Sequence, residues 1–198
     1  MSAPVVIEHD GILVVRDDLF PGGTKARFLP CLFAGAHEIV YATPAEGGAQ
    51  TALATIANQL GKRATLFVAK RRQPHARTLM AKRLGAKVYQ VPHGYLSVVQ
   101  ARARAYCAGT GAMLAPFGMD VPAANDIIAS AAIAACADPA EVWCASGSGV
   151  LAVALARAWP NARRNVVQVG RTLAPSCLVP GCAGVCCSQL KREGLWDR

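Results

Sequence analysis

The sequence predicts an α/β fold, a mostly parallel sheet covered by helices on both faces. Two observations carry that expectation. Short apolar runs alternate with amphipathic stretches at the period of βαβ units, and glycines stand just past two of those stretches, at Gly61 and Gly85, where a left-handed residue closes a helix. Composition agrees, since the 198 residues are 53% hydrophobic and only 6% aromatic, with Ala and Val dominant. Small residues of that kind suit helices packed closely on a sheet.

Taken in order, residues 5–8 and 12–15 read as strands, followed by a turn-rich loop and a helix that Pro30 shortens. Residues 38–41 form a third strand. Helices are expected over 49–60 and 75–84, and strands over 64–68 and 87–91. The alternation continues with 96–107 (helix), 112–115 (strand), 122–137 (helix), 141–144 (strand), 150–159 (helix) and 165–169 (strand). Residues 1–171 therefore read as one α/β region, divisible into two small lobes with the smaller near 43–115. Residues 172–198 read as an irregular tail of Cys, Pro and Gly with no periodicity.

No apolar stretch reaches the length of a bilayer span. Glu8, Asp10, Arg16 and Asp17 break the basic-then-apolar order of a secretory leader. A cytoplasmic protein without membrane contact is the expectation. Eight cysteines are then read as packing residues: Cys31, Cys107, Cys136 and Cys144 as core, while Cys177, Cys182, Cys186 and Cys187 have poor spacing for zinc. No metal site is expected. The net charge of +9 and pI near 9.4 are the largest compositional departure. Lys70, Arg71, Arg72, Arg77, Lys82 and Arg83 concentrate in one segment, either as solvated helix faces or as a surface for an anionic partner such as nucleic acid.

Three loops carry chemistry. In the first, Gly22-Gly23-Thr24-Lys25 delivers a lysine to an expected helix start, where the macrodipole disfavours an ammonium and favours the neutral amine that imine chemistry needs. The second, Gly47-Gly48-Ala49-Gln50-Thr51, lies between a strand and a helix; its amides and side chains suit a carboxylate, although a plain tight turn with Thr51 as cap explains it equally well. The third, Ser146-Gly147-Ser148-Gly149, offers amides and two hydroxyls to a phosphate. It lacks the third glycine of a dinucleotide fingerprint, and the lysine loop lacks P-loop spacing.

Arg16-Asp17-Asp18-Leu19 with Gly22-Gly23-Thr24-Lys25-Ala26-Arg27 resembles the R-D-D-L…G-G-N-K-x-R segment of the tryptophan synthase β-like (fold type II) pyridoxal phosphate enzymes. The likeness is to the aminocyclopropane-carboxylate deaminase and D-cysteine desulfhydrase branch, in a short form. Gly47-Gly48-Ala49-Gln50-Thr51 is similar to that branch's G-G-x-Q-S-N loop, and Ser146 to Gly149 to its phosphate loop, in the same order over residues 12–170. The resemblance implies pyridoxal 5'-phosphate as cofactor, Lys25 as the Schiff-base residue that also moves the α-proton, and Ser146, Gly147, Ser148 and Gly149 on the cofactor phosphate. It places Gly47, Gly48, Gln50 and Thr51 at the substrate carboxylate. Lys25, Thr51 and Tyr95 are the candidate catalytic residues, Tyr95 as a second acid/base group unless it is merely exposed or packed.

Two positions depart from the pattern: Ala52 replaces the branch's asparagine, and only Thr172, Ser176 and Ser188 offer hydroxyls near where the family contacts the pyridine nitrogen. The expected function is a pyridoxal phosphate-dependent lyase or deaminase of amino acid metabolism, as a homodimer. One alternative is a pyridoxal enzyme acting on an amino-acid-modified DNA base in viral DNA hypermodification, with segment 70–83 on DNA. Another is a non-catalytic relative that binds a phosphate-bearing ligand or nucleic acid.

Overall fold

The computed structural model describes residues 3–92 and 94–169, together with the backbone of 182–186. The chain divides into two compact units, one spanning Arg16–Phe117 and the other combining Met1–Val15 with Gly118–Arg198. Each is described by itself.

The Arg16–Phe117 unit is built on a parallel sheet of β3 (Glu38–Thr43), β4 (Arg63–Ala69), β5 (Lys87–Val91) and β6 (Met113–Leu114), in the order β5-β4-β3-β6. All six residues of β3 are buried, as a central strand covered on both faces requires. Between the strands run α2 (Ala49–Gln59), α3 (Ala76–Arg83) and α4 (Leu96–Thr110), after a short α1 (Leu29–Ala34). The steps from β3 to β4 and β4 to β5 go one way along the sheet, and the step from β5 to β6 goes back. Right-handed crossovers therefore put α2 and α3 on one face and α4 on the other. Packing fits that arrangement: Val99 and Ala103 of α4 bury against Val40, Ala42, Phe67 and Val91, and Phe67 stacks on Tyr89 with ring centroids 4.8 Å apart.

Helix ends follow the sequence closely here. Gly61 (φ 62°) and Gly85 (φ 92°) adopt the left-handed conformation just beyond α2 and α3. Arg63 N–H then donates to His37 O, which sets the β3 to β4 register from Glu38 against Arg63 onward.

In the other unit β1 (Val6–His9) and β2 (Ile12–Val15) pair antiparallel. Asp10 (φ 49°) and Gly11 (φ 77°) make the two-residue turn with positive φ at both positions that the twist of a hairpin favours. A parallel sheet of β7 (Glu141–Ser146), β8 (Arg163–Gln168) and β9 (Cys182–Cys186) has the order β7-β8-β9. Helices α5 (Pro122–Ala135) and α6 (Val150–Ala158) pack with it: Ala132, Leu155, Trp159 and Ala162 form a core against Val142 and Cys144. Trp159 Nε1 donates to Cys136 O at 3.1 Å, so the buried indole keeps a partner. No helix among the described residues is long and apolar enough to cross a membrane.

Three expectations change. The lysine loop does not open directly into an α-helix: Gly23–Arg27 is a 3₁₀ turn, and α1 begins at Leu29 with Pro30 in its first turn. Cys31 is exposed rather than core, while Cys107, Cys136 and Cys144 are half-buried. Finally, the tail read as patternless contains β9, paired in register from Arg164 against Cys182 to Gln168 against Cys186.

Candidate active site

The lysine loop is braced from within. Arg27 Nε donates to both carboxylate oxygens of Asp17, at 3.1 and 3.2 Å, and the two side chains form a largely buried ion pair. The Arg27 guanidinium also lies 4.8 Å from the Phe20 ring centroid, a cation–π contact in a desolvated setting. Arg16 pairs separately with Asp18 at 2.8 Å. Between these anchors Gly22 (φ 98°) and Gly23 (φ 63°) turn the chain back. A Cβ on Gly22 would lie 3.4 Å from Ala26 Cβ and 3.6 Å from Ala52 Cα, so the loop comes down onto the first turn of α2.

Lys25 sits within that turn. It is half-buried, and Nζ has no hydrogen-bond or ionic partner among the described residues. Burial therefore lowers its pKa from the ordinary lysine value, with no counter-charge to oppose it. The cause of the shift is desolvation, and Lys25 lies in a 3₁₀ turn rather than at the start of an α-helix.

The second loop leads from β3 into α2, and its carbonyls are all spoken for. Pro44 O accepts from Gly47 N–H (3.0 Å) and Gln50 Nε2 (3.0 Å); Ala45 O accepts from Gln50 Nε2 (2.7 Å). Arg77 Nη1 donates to Glu46 O, Gln50 N–H to Gly47 O (3.4 Å), and Thr51 Oγ1 to Gly48 O (3.0 Å). The amides of Gly48 and Ala49, in contrast, meet no acceptor among the described residues. A loop with its oxygens tied inward and amides left over at a helix start is polarised toward an anion.

Within this loop the structure redistributes the expected roles. Gln50 is fully buried, with Nε2 on two loop carbonyls and Oε1 accepting from Thr78 Oγ1 at 2.9 Å. Its side chain is a strut, and the anion-directed groups are main-chain amides. Thr51 is half-buried and bonds back to Gly48 O, and Gly48 rather than Thr51 occupies the cap position of α2. Gly47 has no room for a side chain, because a Cβ would lie 2.6 Å from Thr43 Oγ1. Ala52 is buried beneath Gly22.

The third loop joins β7 to α6 in the other unit. Ser146 is buried, and its Oγ accepts from Gly149 N–H at 3.1 Å. Gly149 (φ 93°) then opens α6 from the left-handed conformation. The amides of Gly147 and Ser148 have no acceptor among the described residues. Gly118 (φ 73°) approaches so closely that a Cβ there would lie 2.5 Å from Ser148 Cβ. The cup is compact, and a small anion suits it.

The structure thus brings the lysine loop and the Gly47–Thr51 loop together in one unit and shapes the Ser146–Gly149 loop in the other. Tyr95 precedes α4 and is 81% exposed; its carbonyl accepts from Val98 and Val99 N–H, and its hydroxyl has no hydrogen-bond partner among the described residues. Thr172, Ser176, Ser188, Cys177 and Cys187 lie outside the described residues, and Cys182 and Cys186 are described only as backbone. No cluster of metal-binding side chains occurs among the described residues. Sequence reasoning missed the Asp17–Arg27 brace and the role of Arg77; the R-D-D…R spacing was the available signal for the first.

No known protein-family profile matches the chain, and no curated protein matches it in sequence. Solved structures do match. An ACC deaminase homologue superposes with TM-score 0.68 at 18% identity over 80% of this chain and 55% of its own. A pyridoxal 5'-phosphate-dependent aspartate racemase gives 0.58 at 15%, over 79% of this chain and 50% of its own. The O-acetylserine dependent cystathionine β-synthase from Helicobacter pylori gives 0.68 at 14%, over 98% and 82%.

The fold is tryptophan synthase β-like. The chain spans about half the length of the first two proteins, as it does of two threonine deaminases. At these identities the likeness is one of fold.

Proposed function

We propose that this chain is a pyridoxal phosphate-dependent lyase or deaminase acting on an amino acid or an amino-acid-modified substrate through a Schiff base on Lys25. The observation that carries the reading is Lys25 itself, half-buried with no partner for Nζ, on a loop braced by a buried ion pair and seated against an amide-rich loop. The residues fit the cofactor: a lysine amine whose pKa burial lowers for its aldehyde, and a serine-glycine cup of free amides for its phosphate.

When bound, the cofactor supplies an electron sink for the substrate's α-carbon. The protein supplies the rest. Lys25 Nζ is the group that holds and moves the α-proton. The Gly48 and Ala49 amides orient the substrate carboxylate at the positive end of α2. Gly147 and Ser148 amides fix the phosphate, with Ser146 Oγ holding the loop closed through Gly149.

Mixing the protein with pyridoxal phosphate is expected to give an imine absorbance band that borohydride fixes on Lys25, identified by peptide mass. Absence of the band, or label on another lysine, overturns the reading. A non-catalytic ligand-binding module would keep its ligand affinity in Lys25→Ala, whereas an enzyme would lose turnover and keep its fold.

A second reading is favoured by the distribution of charge. The Arg16–Phe117 unit holds fourteen Lys and Arg against four Asp and Glu, an excess of ten. An amino acid carried on DNA, with segment 70–83 contributing backbone contacts, would use that excess. Salt-sensitive DNA binding supports it, and no binding at low salt rules it out.

A further inference from the structure

From Gly47 to Phe117 the chain carries eleven Lys and Arg and no Asp or Glu. So long a run without a carboxylate leaves its cations unneutralised. Lys70, Arg72, Lys82, Arg83, Arg102 and Arg104 are all exposed, and none meets an acidic side chain among the described residues. Solvated helix faces ordinarily mix both signs, whereas a surface of one sign draws in a polyanion.

Part of this charge is gathered beside an aromatic ring at one end of the sheet. The register pairs Thr43 with Val68 and Ala69 with Val91, so β3, β4 and β5 finish nearly level. The amide-rich loop leaves the first of these strands, Lys70-Arg71-Arg72 the second, and the segment entering Tyr95 the third. Lys70 N–H donates to Val91 O at 2.8 Å, and a Cβ on Gly94 would lie 2.2 Å from Ala69 Cβ, so the chain reaching Tyr95 runs hard against the end of β4. On the other side Arg71 bonds the Glu46 carboxylate and Arg77 the Glu46 carbonyl, which joins the three successive cations to the amide-rich loop. Tyr95 is more exposed than any other large hydrophobic side chain among the described residues. All of these residues belong to one unit.

We propose that the carboxyl ends of β4 and β5 form a surface for single-stranded DNA, with Tyr95 stacking on an unpaired base and Lys70 and Arg72 on the flanking phosphates. The ring selects the strand form. A base can stack on a protein ring only when its own face is free, and inside a duplex both faces are already taken by neighbouring pairs. The proposal deepens the second reading above and rests on it for the amino-acid cargo; the surface itself stands on the charge, the strand register and the exposed ring. A base held on Tyr95 would carry its modification toward the end of the sheet where the Gly48 and Ala49 amides lie. Tyr95 is then a binding residue that works through its ring, with no proton to move.

Fluorescence anisotropy of a labelled oligo-dT strand, and of the same strand paired with oligo-dA, is followed over a salt series. The single strand is expected to bind about tenfold more tightly than the duplex at low salt. Tyr95→Ala should weaken the single strand about tenfold and leave the duplex within about twofold, while Tyr95→Phe keeps the wild-type affinity because the ring is retained. In Lys70→Ala/Arg72→Ala the slope of log affinity against log salt should fall in magnitude by about 1.4, two phosphates at about 0.7 each. Arg102→Ala/Arg104→Ala, on α4 across the sheet, should leave that slope unchanged. All five side chains are exposed, so these variants are expected to fold as the wild type does. A duplex bound as tightly as the strand, a Tyr95→Ala protein that binds like wild type, or an equal loss of slope in Arg102→Ala/Arg104→Ala overturns this surface and leaves DNA binding standing. No binding of either probe at low salt removes the second reading with it. Borohydride labelling of Lys25 reports on the lyase chemistry alone.

Discussion

The two units differ in charge far more than in architecture. Each holds a parallel sheet with helices packed on it, yet Arg16–Phe117 carries ten excess positive charges, whereas the other unit, which also holds the antiparallel β1–β2 hairpin, has seven Lys and Arg against eight Asp and Glu. They also make their anion-directed loops differently. The Gly47–Thr51 loop ties its carbonyls inward with Gln50 and Arg77, while the Ser146–Gly149 loop relies on one serine hydroxyl and on one left-handed glycine, Gly149. The first depends on side chains at a distance in sequence, the second on backbone conformation that only glycine adopts cheaply. Loss of a residue should therefore have different consequences in the two.

The largest effect is expected at Lys25. Replacement by alanine should abolish the borohydride-trapped label completely while circular dichroism and melting remain those of a folded protein. Next comes the brace: Asp17→Ala leaves Arg27 charged and largely buried, and a denaturant titration should show a loss of about 3 kcal/mol or more. Gly149→Ala comes third, costing about 1–2 kcal/mol from the left-handed backbone, with weakened cofactor affinity by fluorescence titration and unchanged borohydride labelling chemistry at Lys25 once the cofactor is saturating. If Gly149→Ala moved the label to another lysine, the separate construction of the two loops would be refuted.

A smaller effect concerns pH. The folded Lys25 binds its proton more weakly than the unfolded lysine, so the unfolded state holds more protons between the lowered pKa and the ordinary lysine value. Stability should rise with pH across that window, and Lys25→Met should flatten the rise. A slope unchanged in Lys25→Met would remove burial as the source of the lowered pKa. The smallest effect belongs to the exposed Arg157–Asp126 pair, where Asp126→Asn should move stability by less than about 1 kcal/mol.

Much of the fold was legible because local signals and tertiary packing agree. The strands β3 and β4 are built on continuous apolar runs, and Gly61 and Gly85 close the helices where the sequence places them. The hairpin strands were legible as strands, but their pairing direction depends on the Asp10-Gly11 turn, a signal the periodicity did not use. Strand β9 was hidden because Cys182–Cys186 has no alternation strong enough to mark a strand alone; pairing with β8 makes it one. At the site, the order of the three loops was readable from residue types. Directions of side chains were not: Gln50 looks like a ligand-facing donor in sequence, and only its burial against Pro44, Ala45 and Thr78 shows otherwise.

That inward turn of Gln50 has a thermodynamic meaning for whatever the loop captures. Five successive carbonyls, from Pro44 to Gly48, are already engaged before any ligand arrives. The amides of Gly48 and Ala49 are therefore held in one arrangement, and little conformational freedom is left to lose on binding. Ordering a flexible loop opposes association by about 1–2 kcal/mol for each residue fixed, a penalty this loop avoids because folding has already met it. A buried glutamine that never touches the ligand would thus set the affinity by shortening the list of shapes the loop can take.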